Sequence, residues 1–146
     1  MSDKLKDYRE AKGALPTENL AWQLYGAGIE NFGQNGKPAV LPMPEYGPDE
    51  LLARVDTIGI CFSDIKLITQ GSSHPRITGR DLIKNPVVPG HEVSLTIVGV
   101  GDNLKNQFAV GEKYVVQADI YFGGVNIAYG YALQGGMAQY GVLGKE

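Results

Sequence analysis

Only one cysteine, Cys61, and two histidines, His74 and His91, occur in these 146 residues. One cysteine cannot close an internal disulfide, so nothing in the chain requires an oxidising compartment. No stretch approaches the ~20 apolar residues of a membrane span. The start, Ser2-Asp3-Lys4-Leu5-Lys6-Asp7, is charged and lacks the apolar core of a secretory signal. A cytoplasmic protein with no membrane partner is the expectation. Basic clusters are equally scarce: 13 Lys and Arg stand against 16 Asp and Glu, for a net charge of −3. Without a basic-aromatic stripe, nucleic acid is not an expected partner. No Gly-x-Gly-x-x-Gly follows a strand-like run and opens a helix, so the dinucleotide-binding fingerprint is missing too. Gly123-Gly124 and Gly135-Gly136 read as turn or strand glycines instead.

What is present leans towards β structure. Twenty glycines, eight prolines and eight tyrosines accompany short runs of alternating polarity. Val93, Leu95 and Ile97 alternate with Ser94 and Thr96, and Leu51, Ala53 and Val55 with Leu52, Arg54 and Asp56, the period of half-buried strands. Residues 114–118 and 138–143 are further strand candidates, and residues 20–25 an early one. The best short helix is 63–69, with Ser63 as its N-cap and Gly71 as its stop. Short strands punctuated by glycine predict a small barrel in a single domain, with no repeat or internal linker. Residues 1–19 are polar and predict a loosely held arm ahead of a domain at 20–146. Residues 71–84 read as an exposed loop.

Two segments carry the chemistry. Gly59-Ile60-Cys61-Phe62-Ser63-Asp64 and Pro89-Gly90-His91-Glu92 hold a thiol, an imidazole and an adjacent carboxylate, all of them zinc ligands. Three protein donors plus one open position is the arrangement of a metal that does chemistry. Taken singly, each residue has an ordinary reading: Cys61 as a small buried hydrophobe, His91 as a core histidine, Asp64 as a first-turn aspartate favoured by the helix dipole.

Together, in this order, the two segments resemble the zinc-dependent medium-chain alcohol and polyol dehydrogenases, in particular their sorbitol-type branch. Asp49-Glu50-Leu51-Leu52-Ala53-Arg54-Val55, Asn85-Pro86-Val87-Val88, Val98-Gly99-Val100-Gly101, Val110-Gly111-Glu112-Lys113-Tyr114-Val115-Val116 and Gly135-Gly136-Met137-Ala138-Gln139-Tyr140 extend the likeness over residues 45–143. Two departures stand out. Leu95 replaces a family glycine, and the lobe at 119–135 lacks the four cysteines that hold a structural zinc in many members, which excludes a second zinc. The resemblance implies a mainly β fold, a GroES-like small β-barrel with short helices. It implies one catalytic zinc on Cys61, His91 and, as the available third ligand, Glu92, for which an outer-shell role is the alternative. Ser63 resembles the hydroxyl that passes the substrate's proton towards solvent, and Asp64 the carboxylate that hydrogen-bonds the zinc histidine. The implied activity is an NAD- or NADP-linked oxidation of an alcohol, polyol, sugar or sugar phosphate, the cofactor held by a nucleotide domain absent from this chain. The chain is then expected to be part of a longer, homo-oligomeric enzyme and inactive alone.

Other residues stay open. His74 reads as a solvated loop histidine. Arg76, Arg80 and Lys84 suit either a phosphorylated substrate or a solvated loop. Phe122, Tyr129 and Tyr131 suit a substrate wall, a core or a subunit contact. The competing function is a GroES-like binding or oligomerisation module without catalysis, which would leave Cys61, His91 and Glu92 unexplained. A zinc-free reductase of the quinone-reductase kind is disfavoured, since such proteins lack the cysteine and the Gly-His-Glu turn together.

Overall fold

The computed structural model describes residues 3–77 and 79–144. In order they form α1 (Asp3–Arg9), β1 (Glu18–Ala21), β2 (Ala39–Pro42), β3 (Leu51–Gly59), α2 (Phe62–Gln70), β4 (Glu92–Val100), β5 (Lys113–Val115), β6 (Tyr121–Phe122), β7 (Val125–Asn126) and β8 (Tyr140–Leu143). Short 3-10 turns occupy Ile29–Asn31, Gly71–Ser73 and Asp102–Leu104. The mainly β reading holds.

The central sheet is antiparallel, in the order β5-β4-β3-β8, and β1 pairs with β2. The residues just before β8 join the two. Trp22 N–H donates to Met137 at 2.7 Å, Gln139 N–H to Leu20 at 3.0 Å, and Val55 N–H to Gln139 at 2.9 Å. The sheet curls through this seam into an open, barrel-like wall, with β5 and β2 as its edges among the described residues. Register breaks between Leu52 and Ala53 and between Val55 and Thr57 add the bends that such curling needs.

Strand chemistry explains the core. Leu51, Ala53, Val93, Leu95 and Ile97 pack with Leu104 and Tyr129 inside the wall. Leu95, where the family has glycine, is fully buried there. The alternation expected of β3 is only half the picture, because Leu51 to Arg54 are all buried. The N-terminal segment, itself exposed over residues 4–10, reaches the outer face at Tyr8. Tyr8 lays its ring over the Arg54 guanidinium at 3.5 Å, and its carbonyl accepts Arg54 Nη1 at 2.6 Å. Arg54 also pairs with Asp56 at 2.8 Å. Burial pushes the Asp56 carboxyl up, but hydrogen bonds from Thr96, Arg54 and Lys113 outweigh it and hold it below the ordinary range.

A second cluster sits beside the barrel, where Leu24, Leu67, Ile77, Leu82, Val87, Ala128 and Tyr131 meet. The loop at 71–84 is therefore anchored by Ile77 and Leu82, 3% and 1% exposed, and is not a simple excursion into solvent. Arg80 stitches it down, donating to the carbonyls of Asn85, Tyr131, Ala132 and Pro86. Helix α2 ends at Gly71 as expected, but its N-cap is Cys61 and not Ser63. The reason is Asp64: its Oδ2 reaches back to accept the Cys61 N–H at 2.9 Å, starting the helix two residues earlier.

Candidate metal centre

The strand register brings the two motifs together. Antiparallel pairing sets Gly59, the last residue of β3, opposite Glu92, the first of β4. The chain leaving one strand and the chain entering the other therefore meet at the same end of the sheet. Cys61 follows β3 and His91 precedes β4. One ligand atom from each of Cys61, His91 and Glu92 lies within 4.8 Å of the others. Gly59 makes room for this: a Cβ there would sit 2.8 Å from Glu92 Oε2. Gly90 has φ 93°, and a Cβ on it would meet Ile58 Cδ1 at 2.3 Å, so the turn into His91 needs glycine.

Asp64 binds the two motifs into one unit. It is 1% exposed. Its Oδ2 takes the Cys61 N–H, and its Oδ1 takes the Gly90 N–H at 3.2 Å. Oδ1 also lies 3.4 Å from His91 Nδ1, a buried nitrogen with no well-aligned hydrogen bond. A carboxylate at that nitrogen favours the tautomer with its proton on Nδ1 and its lone pair on Nε2. Nε2 faces the open side, 3.2 Å from Ser63 Oγ and 4.0 Å from Glu92 Oε1. Glu92 is exposed and Cys61 half-buried.

This donor set fits a zinc ion. Soft thiolate, imidazole and carboxylate are its usual ligands, and bonds of ~2.0–2.3 Å hold tetrahedral donors about 3.4–3.7 Å apart. The observed spread needs a closure of only about an ångström to reach that separation. A buried Nδ1 beside a carboxylate and an Nε2 turned towards the other donors are what a metal-binding histidine requires.

Of the five residues singled out in the sequence, all lie at this one point, Ser63 as the second residue of α2. Two further side chains pack beside the site: Tyr131, for which a core position was one of the readings, and His74. His74, expected in solvent, stacks on Tyr131 with centroids 5.2 Å apart. Tyr131 in turn lies against His91 at 5.7 Å. Burial lowers the His74 pKa, with Arg76 and Lys66 adding to it. Burial raises the Tyr131 hydroxyl, the hydrogen bond with Ser63 works against it, and Asp64 adds to the rise. The only sequence signal was a run of aromatics ahead of Gly135. Of the cations considered for a phosphate, Arg80 is spent on backbone carbonyls, Lys84 pairs with Asp81 at 3.7 Å, and Arg76 pairs with Asp119 at 2.7 Å. Phe122 is 69% exposed on the β6–β7 hairpin, away from the buried Tyr129 and Tyr131.

The fold is a small β-barrel with three candidate metal donors at one end of its sheet, and comparison with known proteins gives the family. The model of the alcohol dehydrogenase GroES-like domain matches residues 47–146, and the chain belongs to that family. Sorbitol dehydrogenase of Bombyx mori is 37% identical over 101 residues, covering 69% of this chain and 26% of that protein. Mannitol-1-phosphate 5-dehydrogenase of Aliivibrio fischeri is 36% identical over 104 residues, covering 70% and 24%. The chain thus matches about a quarter of the length of these relatives. A 2R,3R-butanediol dehydrogenase from Bacillus subtilis superposes with a TM-score of 0.71 at 21% identity, covering 87% of this chain and 38% of that one. A zinc-binding dehydrogenase from Sinorhizobium meliloti solved with NADP gives 0.68 at 24% identity, covering 89% and 37%. At such identities the likeness is one of fold. Among the described residues no helix is long and apolar enough to cross a membrane.

Proposed function

We propose that this chain is the zinc-bearing catalytic part of an oxidoreductase that moves a hydride between an alcohol carbon and NAD or NADP. The observation that carries the reading is the meeting of Cys61, His91 and Glu92 within 4.8 Å, with Asp64 buried behind the imidazole. Zinc held there by those three side chains would supply Lewis acidity to an alcohol or carbonyl oxygen. Asp64 fixes the histidine tautomer. Ser63 Oγ, a hydroxyl able to donate and accept at once, is placed to relay the substrate's proton. Ile60 and Phe62, 67% and 66% exposed, give the rim an apolar lining beside Cys61.

The substrate class favoured is a polyol, sugar or sugar phosphate, after relatives described as sorbitol dehydrogenase, mannitol-1-phosphate 5-dehydrogenase and L-sorbose 1-phosphate reductase. The nicotinamide cofactor would be bound by sequence of the kind that makes up the rest of those relatives. A binding module without catalysis has no use for a thiol, an imidazole and a carboxylate converging on one point.

Cobalt is the test, because it takes zinc sites and is coloured. Adding Co²⁺ to this chain should raise a thiolate-to-cobalt charge-transfer band, and Cys61→Ser should remove it. A chain that gives no such band, or keeps it without Cys61, would overturn the metal reading.

A further inference from the structure

Tyr131 is 1% exposed yet sits at a place where a buried tyrosine has more to do than fill space. Two imidazoles pack against its ring. His91 is tilted at 36° with centroids 5.7 Å apart, and His74 is stacked at 26° and 5.2 Å. The Arg76 guanidinium carbon is 5.2 Å from the same ring centroid. Arg80 holds the backbone, donating to the Tyr131 carbonyl at 3.0 Å.

The imidazole of His91 needs such a neighbour. Its contact with Asp64 is 3.4 Å and leaves Nδ1 without an aligned hydrogen bond, so the carboxylate sets the tautomer but constrains the ring plane weakly. On the Nε2 side Ser63 Oγ, 3.2 Å away, holds one edge atom without fixing the ring plane, and Cys61 and Glu92 become restraints only once a metal joins them. Among the described residues the one aromatic surface packed on the ring is Tyr131. We propose that Tyr131 is a positioning residue of the metal centre, its ring fixing the plane of the His91 imidazole and hence where the Nε2 lone pair points. The inference rests on Cys61, His91 and Glu92 being metal ligands.

Titration with Co²⁺, followed by absorbance, separates the two claims. Tyr131→Phe keeps the ring and should bind Co²⁺ within about twofold of the unsubstituted chain, with an unchanged ligand-field band. Tyr131→Leu loses the ring and should weaken binding by ~10-fold or more, the size of effect seen when outer-shell support of a ligand is removed. Should leucine prevent folding, His74→Ala removes the other imidazole packed on that ring, frees it to shift, and should weaken binding several-fold. Leucine or alanine variants that bind as tightly as the unsubstituted chain would overturn the proposal, as would a phenylalanine variant that loses ~10-fold. No cobalt band in the unsubstituted chain would sink the metal reading itself, and this inference with it.

Discussion

Asp64→Asn is the sharpest perturbation of this architecture, because it keeps volume and removes only charge and one acceptor. The carboxylate is 1% exposed and accepts two amide protons, from Cys61 at 2.9 Å and Gly90 at 3.2 Å. An asparagine oxygen can serve one of them. Its NH₂ group then faces the other N–H, donor against donor. A buried donor left without a partner costs about 1–3 kcal/mol. Relief of the carboxylate's own desolvation offsets part of this, so a net loss of about 2 kcal/mol is expected. For a domain of this size that lowers the melting temperature by roughly 4–8 °C. Metal affinity should fall as well, by about 10–100-fold, because the imidazole loses the group that fixes its tautomer. Thermal unfolding by circular dichroism and Co²⁺ titration on the same preparation give both numbers. An asparagine variant with unchanged melting temperature and affinity would refute the view that Asp64 ties the two motifs together.

Three further outcomes follow from named contacts. Ser63 is inside α2 and not its cap, so in a longer protein with the activity proposed above Ser63→Ala should leave melting temperature and zinc content nearly unchanged and lower turnover by ~10²-fold; unchanged turnover removes Ser63 from the chemistry. Gly135→Ala should destabilise by about 1–3 kcal/mol, the usual cost of overpacking, since its Cβ would lie 2.4 Å from the carbonyl oxygens of Pro89 and Gly90; a urea melt showing no loss would mean that the turn moves freely. Asp56 is held below its ordinary value of 3.8, so its contribution is present above that value and lost as pH falls through the folded pKa. The stability gap between the parent chain and Asp56→Asn should therefore close on acidification, and a gap that widens would reverse the sign.

Much of this was legible in the chain. Alternating residues marked β3 and β4 because one face of each strand builds the core, and turn glycines separated them. The donor residues stood out because few residue types ligate zinc and the motifs fell in the family's order. The N-cap was misread because Ser63 is the better capping residue by type, yet the Asp64 carboxylate sits where it can take the Cys61 amide. The cation–π contact between Tyr8 and Arg54 had no sequence signal, because it joins residues far apart with no pattern to announce it. The packing of His74 and His91 on Tyr131 had no signal for the same reason. The role of Gly59 appears only once the register is known, since it is the residue opposite Glu92.

The central claim is that Cys61, His91 and Glu92 form one zinc site. Native mass spectrometry of this chain titrated with zinc tests it most directly. The account predicts a single bound zinc in the unsubstituted chain, none in Cys61→Ser or His91→Ala, and weakened occupancy in Glu92→Gln. A chain that binds no zinc, binds two, or binds one regardless of Cys61 and His91 would contradict it.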